Sequence, residues 1–174
     1  MTTAIYPATF DPITNGHIDI AERASKIFSE VIVSVYDRPM KDLLFSVEDR
    51  LKMTRQALAH MENVRVESYS GLSAKFANDM GAAVIVRGLR ALSDFEWELQ
   101  LSLTNHVLEP EVETVCLMAS QEFLYLSSSM LKEIYMNGGS IDHLAPPVVI
   151  EELQKQSMVD ENGNSRVKVV SVRD

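Results

Sequence analysis

Apolar positions along the chain fall into two alternating patterns. Short continuous runs rich in Val and Ile occur at Ala4–Tyr6, Val31–Val35, Val64–Tyr69, Ala82–Val86 and Val115–Met118. Their length and composition predict strands buried on both faces of a parallel sheet. Between them the spacing turns helical. Ile18, Ala21, Ala24 and Phe28 fall on one helical face, and Ser46-Val47-Glu48-Asp49 predicts a capping box opening a helix to about Met61. Leu72–Met80 reads as a short helix. Ser93-Asp94-Phe95-Glu96 predicts a second capping box, opening a helix to about Val107 with Phe95, Leu99 and Leu103 inward. Helical stretches at Ser127–Tyr135 and Pro147–Gln156 complete the set.

Strand and helix alternate from end to end without an internal repeat. The class this predicts is α/β: a doubly wound, Rossmann-like parallel sheet of five strands with helices on both faces. Residues 1–158 form one domain in this reading, and 159–174 a C-terminal extension. Asp160-Glu161-Asn162-Gly163-Asn164 is a polar, turn-forming break, and Arg166–Val172 alternates in part. That tail fits an edge strand, a partner contact, a disordered end or a plain surface appendage.

Composition narrows the function classes. The chain has 174 residues, 46% hydrophobic and 24% charged, as in soluble globular domains. No run reaches a membrane-spanning length, and the N-terminus lacks the pattern of a signal peptide. The lone Cys116, in an apolar stretch, suits a reducing cytoplasm. A net charge of −9 argues against DNA or RNA as the main partner, since polynucleotide binders carry broad basic surfaces. Any phosphate ligand is then small and met by a local basic cluster.

In doubly wound sheets ligands bind beyond the carboxyl ends of the strands. Candidate chemistry lies there. Tyr6-Pro7-Ala8-Thr9-Phe10-Asp11-Pro12-Ile13-Thr14-Asn15-Gly16-His17 leads from the first strand through two prolines and a turn into a helix start, where unpartnered N–H groups and the helix dipole favour an anion. Thr9 supplies a hydroxyl, and His17 a ring donor in the first helical turn. Arg87-Gly88-Leu89-Arg90 follows the fourth strand, and guanidinium forks match phosphate oxygens. Ser127-Ser128-Ser129 after the fifth strand, with Lys132 and Glu133 behind it, is a second anion nest. Lys41 lies in the connection after the second strand, a loop suited to fold over ligand. Each has a plainer reading: a surface histidine, solvated arginines, an ordinary serine cap, a solvated lysine such as Lys52 or Lys75.

Pro7-Ala8-Thr9-Phe10-Asp11-Pro12 with Thr14-Asn15-Gly16-His17 resembles the signature of the nucleotidyltransferase superfamily. Arg87-Gly88-Leu89-Arg90, Asp94-Phe95-Glu96 and Ser127-Ser128-Ser129 narrow the resemblance to the bacterial phosphopantetheine adenylyltransferase family, over about Ala4 to Lys155. The resemblance implies transfer of AMP from ATP to 4′-phosphopantetheine, with dephospho-coenzyme A and pyrophosphate as products. It implies ATP contacts from Phe10, His17, Arg90, Glu98, Ser127, Ser128 and Ser129. It implies acceptor contacts from Thr9, Lys41, Leu72, Ser73, Arg87, Asn105 and Glu133. The catalytic set it implies is His17, Lys41, Thr9 and Arg90, which align and neutralise two anions without a covalent intermediate. Mg²⁺ arrives on the ATP phosphates, with no permanent protein metal site. The resemblance also implies a cytoplasmic homohexamer built from two trimers.

Two departures stand out. Ala8 occupies a position usually held by glycine, where a methyl group narrows the approach to nucleotide. Ala119 replaces a common proline. The alternatives are a nucleotidyltransferase for nicotinamide mononucleotide or CTP, a regulator without catalysis, and an RNA-binding relative of class I aminoacyl-tRNA synthetases.

Overall fold

The computed structural model describes residues 2–39 and 42–156. Lys41 and the tail from Val159 lie outside the described residues. The strands are β1 (Thr3–Ala8), β2 (Glu30–Tyr36), β3 (Val64–Tyr69), β4 (Val84–Leu89) and β5 (Glu113–Met118). They form one sheet in the order β3-β2-β1-β4-β5, with every neighbouring pair parallel. The helices are α1 (Asn15–Ser25), α2 (Val47–Ala57), α3 (Ser73–Asp79), α4 (Leu92–Leu108), α5 (Ser128–Met136) and α6 (Pro147–Gln156). No helix among the described residues is long and apolar enough to cross a membrane.

Alternation along the central strands builds two cores. Ala4, Tyr6, Val31, Val33, Val35, Val84 and Val86 pack with α1, α2, α5 and α6 on one face. Ile5, Ile32 and Ile85 pack with Ala74 and Ala77 of α3 on the other. Each fully buried Val or Ile side chain contributes about 1.5–3 kcal/mol, so the two cores fix the strand register.

The winding reverses between β1 and β4. Their pairing covers only Ala4 with Val84 and Ile5 with Ile85. Beyond it β1 reaches Pro7, which lacks a ladder donor, and the strands part. The gap at their carboxyl ends is where a doubly wound sheet binds its ligand. Gly88 keeps α1 close to the end of β4, since a Cβ there would lie 3.2 Å from Ile20 Cγ1.

Several local expectations change. α2 ends at Ala57, short of Met61, and Ser46 caps it by accepting the Asp49 N–H at 3.1 Å while donating its hydroxyl to the Asp49 carboxylate. α4 starts at Leu92 behind Ala91, which makes no side-chain cap bond, so the helix opens two residues before the cap expected at Ser93. Asp94 instead pairs with Arg90. Phe95, Leu99 and Leu103, expected inward, are 51%, 47% and 61% exposed. The inward face of α4 carries Asp94, Glu98, Leu101 and Asn105, so polar residues face the strand ends and the apolar stripe faces out. Cys116 is exposed on β5. Lys52 is not merely solvated, for its ammonium meets Glu152 of α6 at 2.7 Å.

Candidate active site

A cavity of about 880 Å³ opens at the carboxyl ends of β1 and β4. Most of the sequence-predicted residues line it: Thr9, Phe10, His17, Leu72, Ser73, Arg87, Arg90, Glu98, Asn105 and the three serines. Glu133 does not, being exposed on α5 away from the cavity wall, and Lys41 lies outside the described residues.

The turn after β1 contains one residue in a conformation that a free chain would avoid. Phe10 has φ of 50°, a left-handed conformation that costs a non-glycine residue roughly 1–2 kcal/mol. Its buried ring offsets this by edge-on packing against Tyr6 at 5.6 Å and His17 at 5.1 Å. Ala8, by contrast, has an ordinary negative φ and continues the β1 ladder opposite Val35, so the backbone there does not require glycine.

His17 is fixed by a capping box that the sequence reading did not include. The Thr14 hydroxyl accepts the His17 N–H at 3.3 Å, and the Thr14 N–H donates to His17 Nδ1 at 3.1 Å. A backbone N–H can only donate, so Nδ1 must be the acceptor and the neutral ring carries its proton on Nε2. The box therefore sets both the orientation and the tautomer of the ring.

The two arginines are prearranged. Arg87 makes a bidentate pair with Glu98, both contacts at 2.7 Å, and donates to the Pro7 carbonyl at 2.9 Å. Burial alone would lower the Arg87 pKa, but the Glu98 hydrogen bonds and charge, with Tyr6 and Tyr69, outweigh it and leave it raised. Burial likewise pushes the Tyr6 phenol up, so that ring remains neutral. Arg90 pairs with Asp94 and donates to the Leu126 carbonyl at 3.1 Å, tying β4 to the chain entering α5. The cavity carboxylates Asp94 and Glu98 are thus already committed to cations.

At the start of α5, Ser127 is the N-cap and accepts the Met130 N–H, while Ser128 donates to the Pro12 carbonyl. The Ser128 and Ser129 N–H groups have no intrahelical acceptor and suit an anion. On the opposite side, Tyr36, Tyr69, Leu72, Trp97, Leu101 and Leu108 give a more apolar wall. Tyr69 stacks on Phe76 at 4.8 Å and exchanges a hydrogen bond with Ser73 at 2.8 Å. One end of the cavity thus suits a polyanion and the other an extended neutral chain.

The Cytidylyltransferase-like family model matches residues 5–134. A phosphopantetheine adenylyltransferase of Herpetosiphon aurantiacus is 47% identical over 165 residues, 95% of this chain and 100% of the relative. The chain belongs to the phosphopantetheine adenylyltransferase family. Members from Heliobacterium modesticaldum and Thermosynechococcus vestitus are both 51% identical, over 90% and 87% of this chain and 93% and 90% of their own lengths. The family assignment gives the cavity its context: the matched region contains every cavity-lining segment from β1 to the start of α5.

Sequence reasoning missed three charged residues behind the cavity. In the sequence Asp11 stands out only as part of a motif and Lys132 only as a neighbour of the serines, while Arg50 lies in an ordinary helical stretch. Arg50 had a signal: Val47, Arg50, Thr54 and Ala57 share one helical face, and a charge within such a stripe marks a buried, hydrogen-bonded group.

Proposed function

We propose that the chain transfers AMP from ATP to 4′-phosphopantetheine, releasing pyrophosphate and forming dephospho-coenzyme A. The observation that carries this is the convergence of Thr9, His17, Arg87, Arg90 and Ser127–Ser129 on one cavity at the strand switch point. The acceptor phosphate is itself the nucleophile. Its oxygen bonds to the α-phosphorus in line with the departing pyrophosphate, the α–β anhydride bond breaks, and no covalent enzyme intermediate forms.

In this reading the His17 Nε2–H stabilises charge at the α-phosphorus, while Arg90 and the α5 N-terminus hold the β- and γ-phosphates. Thr9, with Lys41, holds the acceptor phosphate, and Arg87 binds it from the β4 side. Leu72, Ser73 and Asn105 meet the pantetheine arm. Asp94 and Glu98 are paired to arginines, so Mg²⁺ would enter as MgATP and would offset part of the repulsion between the two anions.

A pyrophosphate-release assay tests the reading. ATP with 4′-phosphopantetheine should give turnover at least about 100-fold above that with CTP or with nicotinamide mononucleotide as acceptor. Such a preference needs about 2.7 kcal/mol of discrimination, within reach of a few unpaired polar contacts. Preference for CTP or nicotinamide mononucleotide would reassign the substrate, and no turnover with any pair would favour a regulator.

We also propose a cytoplasmic homohexamer; the outward apolar stripe of α4 supports the assembly, since Phe95, Leu103 and Val107 are 51%, 61% and 80% exposed in the single chain. Leu103→Glu should lower the mass measured by light scattering by at least half. An unchanged mass would place any subunit contact elsewhere.

A further inference from the structure

Behind the cavity two buried charged side chains join segments far apart in sequence. Arg50 of α2 is 1% exposed. Its guanidinium donates to the Thr9 carbonyl and the Tyr36 carbonyl, each at 2.7 Å, and to the Phe45 carbonyl at 3.3 Å. A longer bond of 3.4 Å reaches the Asp37 carbonyl. These acceptors lie beyond β1, at the end of β2 and just before α2. Asp11, also buried, accepts the Leu44 and Phe45 N–H groups and the Lys132 ammonium of α5 at 2.6 Å. One ionic brace therefore clasps the turn carrying Thr9, both flanks of the β2–α2 connection and the helix whose N-terminus faces the cavity.

The chemistry of this brace goes beyond holding a core together. A guanidinium satisfied mainly by carbonyls has a large desolvation cost, and an apolar side chain of the same volume would fill the space as well. Burial pulls the Arg50 pKa down, opposed by Asp11, Asp37 and Glu48. What an apolar residue cannot do is hold the Thr9, Tyr36, Phe45 and Asp37 carbonyls in set directions. The rigid fork donates in several set directions, so it fixes where the Thr9 backbone, and with it the Thr9 hydroxyl, stands relative to the β2–α2 connection.

We infer that Arg50 is a positioning residue for the transfer step, aligning Thr9 with the acceptor phosphate through the Thr9, Tyr36 and Phe45 carbonyls. The role rests on the adenylyl transfer proposed above. It predicts loss in kcat and not in ATP binding, because the Ser127–Ser129 end of the cavity receives no bond from Arg50. Arg50→Lys keeps the charge but lacks the fork; Arg50→Met keeps the volume and lacks both. Met53→Val on the same helix, at a fully buried apolar site, is the control for lost stability alone.

Steady-state kinetics well below each variant's melting temperature decide the matter. Arg50→Lys should lower kcat by about tenfold and Arg50→Met by about 100-fold, with the KM for ATP within twofold, as expected when reacting groups are displaced by an ångström. Met53→Val should lower the melting temperature and leave kcat unchanged. Normal kcat in a folded Arg50 variant overturns the inference, as does an effect confined to the KM for ATP. Failure of both Arg50 variants to fold also overturns it, in favour of a purely structural arginine. Wild-type turnover in the same assay separates this from failure of the functional reading, since an inactive wild type would sink that reading first.

Discussion

Replacing His17 with asparagine should lower kcat by about 10²–10³-fold while the protein stays folded, the loss typical of removing one donor from a developing oxyanion. The choice of substituent follows from the capping box. In His17 the Nδ1 atom accepts the Thr14 N–H at 3.1 Å, which leaves Nε2 as the ring donor. Asparagine can place its Oδ1 near the Nδ1 position and keep that bond, but no atom of it reaches the Nε2 position. His17→Ala loses both, at an added cost of about 1 kcal/mol for the broken cap. In a chain of this size that lowers the melting temperature by about 2–4 °C. Turnover with ATP and 4′-phosphopantetheine, measured beside thermal melts, separates the two effects. Both variants should be equally slow, and only the alanine form should melt early. Near-normal turnover in either would remove the ring from the chemistry.

How much of this was legible beforehand depends on what each signal reports. The apolar run Val31–Val35 marks β2 to within a residue at each end, because a strand buried on both faces shows as unbroken apolar sequence. β1 and β4 run two and three residues further than expected, through Pro7-Ala8 and Arg87-Gly88-Leu89. Those extra residues are the functional strand ends, where polarity and glycine mask the strand. The Thr14–His17 box escaped because its third position holds histidine instead of the usual Glu or Gln. The apolar spacing of Phe95, Leu99 and Leu103 gives α4 as a helix but points it the wrong way round. Apolar periodicity reports which face seeks cover, not whether this chain or another provides it, and the cavity claims the polar face. The cavity residues themselves were found because strand ends and anion-binding chemistry coincide at Thr9, Arg87 and Ser127.

The pairing of Arg87 with Glu98 predicts a second large effect, and one that separates folding from binding. Arg87 is 26% exposed at its side chain and Glu98 only 8%. Three of the five guanidinium donors are used, two by Glu98 and one by the Pro7 carbonyl, so two remain for a substrate phosphate. Glu98→Gln should therefore cost about 3 kcal/mol, the low end for a broken buried pair because Arg87 keeps some water contact. That corresponds to a melting temperature lower by roughly 10 °C. Arg87→Met should cost at least as much, since it strands the more deeply buried carboxylate. The double variant Arg87→Met/Glu98→Leu replaces the pair with apolar volume and should recover most of the stability. It should not recover activity. Two charge-assisted hydrogen bonds to the acceptor phosphate are worth about 100-fold in kcat/KM for 4′-phosphopantetheine, and an apolar wall offers none. A stable double variant with wild-type kcat/KM would show that Arg87 serves the fold alone. A stable and slow one would mean that the chain accepts the cost of burying this ion pair because the acceptor phosphate completes it.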